Sequence, residues 1–122
     1  MHPWLSRLRH DLVKRAVWPA RDLRDLLREP SAADVAHLRR GLFDLRDGGG
    51  APVTARALWE RLRAEAPEAA AASLDAFGAA LSEAEVAVGA LESHPGRWRA
   101  ALDAVLRIET AFAALARSLE EE

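Results

Sequence analysis

Apolar residues return along this chain at steps of three and four, the period of a helix with one buried face. Leu5, Leu8, Leu12, Ala16, Leu23 and Leu26 mark a first helical segment over 4–29. Pro19 falls inside it and removes a backbone donor, which predicts a kink near Val17-Trp18-Pro19 or a fresh helix starting at Pro19. A second segment opens at Pro30-Ser31 with Asp34 three residues on, a capping-box-like start, and carries Val35, Leu38, Leu42 and Leu45 to the loop at Asp47-Gly48-Gly49-Gly50. Thr54 can cap a third segment bearing Leu58, Trp59 and Leu62, which stops before Pro67.

The last two segments have the cleanest rhythm. Leu74, Phe77, Leu81, Ala84, Val88 and Leu91 form one seam, and Trp98, Ala101, Val105, Ile108, Phe112, Leu115 and Leu119 form the other. Ser93-His94-Pro95-Gly96 joins them, so 68–120 reads as an antiparallel helical hairpin. The expected fold is all-α: a single-domain bundle of four or five helices over 1–122, with the first helix packed across the hairpin or swapped into a homodimer. Abundant alanine and a single isoleucine, Ile108, agree with that class.

Composition narrows the chemistry. The chain lacks cysteine, which removes disulfides, thiolate zinc, iron–sulfur clusters and thiol nucleophiles. The N-terminus carries Arg7 and Arg9 before any apolar run, and no stretch reads as a membrane span or signal peptide, so the expected location is cytoplasmic. Charge is uneven: thirteen basic residues face eight acidic ones up to Arg63, and the balance then reverses. Between Ala64 and Gly96 there are carboxylates and no cation. Either opposite-signed helices pack together, or the basic half meets an anionic partner.

The search for a reacting centre is brief. Asp34-Val-Ala-His37 is one half of a carboxylate–histidine metal motif whose second half is missing, so no metal and no cofactor are expected. Gly48-Gly49-Gly50 has no following lysine and reads as a connector, not a phosphate loop. No nucleophile–base–acid set or paired-carboxylate site stands out, which argues against an enzyme.

Two resemblances attach to short motifs. His10-Asp11-Leu12, followed by a turn and a second helix, resembles the dimerisation and phosphotransfer hairpin of sensor histidine kinases, with Asp44-Leu45-Arg46, the glycine loop and Pro52-Val53 near its exit. It would make His10 a phospho-acceptor. Lys14 and Arg15 stand where that family has a small or polar residue and proline, and no nucleotide-binding glycine boxes follow.

Across a third of the chain, Leu38-Arg-Arg-Gly-Leu-Phe-Asp-Leu, then Val53-Thr-Ala-Arg-Ala-Leu-Trp-Glu-Arg-Leu and Ser73-Leu74 resemble the ferric-uptake-regulator type of winged helix-turn-helix. That would place the helix after Ser73 in a major groove. Here it carries Asp75, Glu83 and Glu85 and no cation to meet phosphate, and the β-wing is replaced by the fifth helix, which argues against nucleic acid as partner.

What remains is the first helix. Trp4 and Trp18, fourteen residues apart, fall near one side of a regular helix among Arg7, Arg9, Lys14, Arg15 and Arg21. Tryptophan in a small alanine-rich bundle is also a natural core filler. If both are exposed, this basic amphipathic face would bind a protein partner, and the chain would be a non-enzymatic adaptor, accessory subunit or regulator.

Overall fold

A computed structural model describes residues 2–46 and 49–120. Its described residues form a bundle of five helices. The first is a continuous rod built from α1 (Pro3–Leu8), one wide π-turn (Arg9–Val13) and α2 (Lys14–Arg24). Then follow α3 (Ala32–Phe43), α4 (Ala55–Ala64), α5 (Ala71–Gly89) and α6 (Trp98–Glu120).

The helix starts are those the side chains dictate. Ser31 accepts from the Asp34 backbone N–H, and Asp34 accepts from the Ser31 N–H, closing the capping box of α3. Thr54 accepts from the Ala57 N–H and caps α4. His2 accepts from the Trp4 N–H, with Pro3 at the first helical position. The first helix ends at Arg24, short of the expected Glu29. Pro30 disfavours helical backbone at Glu29, and Arg28 turns to bond Asp34 at 2.5 Å. The chain stays helical through Pro19, and the irregularity lies about two turns earlier, in the π-turn.

The C-terminal hairpin is as the seams require. Phe77, Leu81, Ala84, Val88 and Leu91 of the first seam are buried, and so are Trp98, Ala101, Val105, Ile108 and Leu115 of the second. Leu74, Phe112 and Leu119 pack partly buried at the margins. Burying each large member is worth about 1.5–3 kcal/mol, so this pair anchors the fold. α2 lies between α3 and α6, while α4 closes the other end against α1, α3 and α5.

The glycine connector differs from a plain loop. Leu45–Arg46 and Pro52–Val53 pair antiparallel as a two-residue ladder, Leu45 opposite Val53. Gly50 takes a positive φ of 82°, which explains glycine there; Asp47 and Gly48 lie outside the described residues.

The uneven charge is resolved inside the molecule. Arg7–Glu65, Arg21–Glu109, Arg39–Glu92, Arg56–Glu85 and Arg63–Asp75 all join the basic first half to the acidic second half. Arg56 is the most engaged, bonding Glu85 at 2.5 Å and the Ser82 hydroxyl at 2.6 Å.

Candidate functional site: the Trp18 ridge of the first helix

The π-turn decides which way each tryptophan of the first helix faces. At 3.6 residues per turn, fourteen regular residues bring a side chain back to within about 40° of its start. A π-turn inserts roughly one extra residue into a single turn and moves the two ends apart to about 140°. Trp4 thereby joins the inward stripe of Leu8, Leu12, Ala16 and Ala20, all buried, whereas Trp18 faces out.

The expectation that Trp4 belongs to an exposed docking face is therefore corrected. Trp4 is 4% exposed, and its indole N–H donates to the Leu62 carbonyl at 2.7 Å near the end of α4. Its ring lies 6.5 Å from that of Trp59, which lies 4.6 Å from Phe77, so three aromatics tie α1, α4 and α5 together. Trp98 is likewise buried.

Trp18 is 54% exposed, with the Lys14 ammonium 5.7 Å from its ring centre. It forms a ridge between two grooves. Toward α6, a groove of about 480 Å³ is floored by Val13, Val17, Phe112 and Ala116, with Arg9 and Arg21 beside it. Toward α3, a groove of about 550 Å³ is bounded by His10, Lys14, Arg15, His37 and Arg40, over Pro19 and Gly41.

The cations named from sequence divide into two sets. Arg7 is paired with Glu65 at 2.7 Å, Arg15 donates to the Arg46 carbonyl at 2.5 Å, and Arg21 bonds Glu109. These three serve the fold as well as the surface. The Arg9 and His10 side chains make no hydrogen bond or ion pair among the described residues, and Lys14 is held by the Trp18 ring. His37 reaches Asp22 at 3.5 Å instead of forming a metal pair with Asp34, whose carboxylate is taken by Arg28 and Ser31.

That bonding pulls the Asp34 carboxyl down from 3.8 to about 2, chiefly through the Arg28 hydrogen bond and then the Ser31 backbone N–H. Its causes are an ion pair with Arg28 and, second, the cap of α3, so the shift follows from interactions that hold the helix start. Among the described residues no polar or charged residue is buried, and no three metal-ligating side chains cluster.

Comparison with protein-family models, curated proteins and solved structures finds no match. No helix among the described residues is long and apolar enough to cross a membrane.

α3 contributes to this site in a way the hydrophobic pattern did not reveal. A Cβ on Gly41 would lie 2.9 Å from the Arg15 carbonyl oxygen, 3.2 Å from Pro19 Cγ and 3.3 Å from the Ala16 carbonyl. Glycine is thus required where α3 crosses the first helix. The pairing has a chemical logic: Pro19 has no N–H for the Arg15 carbonyl, and a Cα hydrogen of Gly41 points at that oxygen instead. The proline and the glycine are each unremarkable alone, and nothing in the spacing along the chain pairs them.

Proposed function

We propose that this chain is a non-enzymatic interaction protein that receives an amphipathic segment of another protein along the first helix, with Trp18 as its anchor. The observation that carries the reading is the exposure of Trp18 beside Lys14, on a bundle whose other three tryptophans are core. The groove toward α6 has the apolar floor and charged margin that helix-in-groove recognition uses. Buried, perturbed titratable groups are what active sites are built from, and the carboxyl displaced among the described residues, Asp34, is held by Arg28 and by the cap of α3.

A photo-crosslinking residue at the position of Ala113 or of Ala116, both lining the groove beside Trp18, tests this in cells that make the protein. One discrete adduct is expected from both positions, absent from a control at Ala79 on α5 and lost with Lys14→Glu. An adduct of twice the chain's mass would make the partner a second copy. Equal adducts at Ala79, or none at all, refute the reading.

The exposure of His10 favours a second reading, phosphotransfer. His10 is exposed within the π-turn, its imidazole free of partners among the described residues and beside Lys14, Arg15 and Arg40. Incubation with phosphoramidate followed by mapping of the labelled sites distinguishes it: acid-labile phosphate on His10 well ahead of the exposed His2 and His94 supports the reading, and labelling of His10 no faster than theirs removes it.

A further inference from the structure

The groove on the other flank of Trp18 differs in chemistry from the one toward α6. Its floor is Pro19 and Gly41, the line along which two helix backbones touch, so it is rigid. One wall is the exposed indole of Trp18. Around it stand the cations Lys14, Arg15 and Arg40 and the imidazoles His10 and His37. The opposing carboxylates are Asp22, which faces His37, and Asp44. Arg40 is exposed, and its guanidinium makes no bond or ion pair among the described residues. A volume of about 550 Å³ suits a small organic ligand.

From this we infer a binding site for a small aromatic anion, a flat ring carrying a phosphate or carboxylate. The ring lies along Trp18, and the anionic group is met by Arg40 and Lys14. Lys14, already at the Trp18 ring, links the two halves of the site. Cation and π-face recognise different parts of one ligand, so neither bare phosphate nor a neutral ring satisfies both. The site shares Trp18 and Lys14 with the protein-docking groove and is distinguished from it by Arg40, which belongs to α3 and does not line that groove.

Titration of the full chain with phenyl phosphate, benzoate and inorganic phosphate tests this, read from the indole N–H signal of Trp18 and the ring C–H signals of His10 and His37. Saturable shifts confined to these residues are expected from phenyl phosphate or benzoate. Arg40→Gln should weaken that binding about tenfold, since a hydrogen bond to a charged group is lost. Trp18→Ala should weaken phenyl phosphate but leave inorganic phosphate within about twofold, because only the ring contact is removed. Arg117→Gln, on α6 and away from the groove, should change nothing. Non-saturating shifts overturn the inference. So do equal affinities for inorganic and phenyl phosphate, or equal losses from Arg117→Gln and Arg40→Gln.

Discussion

Replacing Gly41 with alanine adds one methyl group to the face of α3 that meets the first helix. In a helix interior the change ordinarily stabilises by up to about 1 kcal/mol, through lower entropy in the unfolded chain. Here the new carbon would sit 2.9 Å from a backbone carbonyl oxygen and 3.3 Å from another. No rotamer change moves either atom, so α3 must shift away from the first helix. That loosens Leu38 and Leu42, both buried on the same helix.

Overpacking of this kind costs about 1–3 kcal/mol. A clash with backbone atoms falls in the upper part of that range, about 2–3 kcal/mol, so after a propensity gain of about 1 kcal/mol the net loss is about 1–2 kcal/mol. At roughly 4 °C per kcal/mol for a domain of this size, melting should fall by about 4–8 °C. Gly89→Ala, at the end of α5 with open space around the added carbon, is the control and should melt at or slightly above the parent. Thermal denaturation followed by circular dichroism at 222 nm reads both. A Gly41→Ala protein as stable as Gly89→Ala would refute the close contact between α3 and the first helix.

Three further outcomes follow from the same geometry. Trp4→Ala should destabilise by about 3–5 kcal/mol in chemical denaturation, as a buried aromatic with a hydrogen bond is removed, while Trp18→Ala, whose ring is already half in solvent, should cost only about 1–2 kcal/mol. Because folding lowers the Asp34 pKa from 3.8 to about 2, its stabilising share is complete above about pH 5 and is lost as pH falls through 2. The melting difference between the parent and Asp34→Asn should accordingly shrink between pH 5 and pH 2; a constant difference would contradict the ion pair. Arg56→Met should lower stability by about 1 kcal/mol, since the guanidinium is only partly exposed and holds both Ser82 and Glu85; an unchanged denaturation midpoint would speak against it.

How much of this was legible in the sequence varies by element. The α5–α6 hairpin was read residue by residue because each seam repeats long enough for one face to be unambiguous. Ser31–Asp34 and Thr54 announced their helices because capping is local chemistry. The direction of Trp4 was hidden, since the π-turn at Arg9–Val13 leaves no mark in hydrophobic spacing yet rotates everything before it. The end of the first helix was misplaced for a related reason. Pro30 disfavours helix at Glu29, and Arg28 bonds the Asp34 carboxylate six residues on; periodicity registers neither. The cross-half ion pairs and the Gly41–Pro19 contact join residues distant in sequence, where pattern along the chain carries no signal.

The functional account depends on one asymmetry, Trp18 in solvent and Trp4 in the core. Four indole N–H signals should appear in a proton–nitrogen spectrum, one for each tryptophan. A soluble gadolinium chelate added to the sample should broaden the Trp18 signal strongly and spare those of Trp4, Trp59 and Trp98. Equal broadening of Trp4 and Trp18 would contradict the account, as would a Trp18 signal that the chelate leaves untouched.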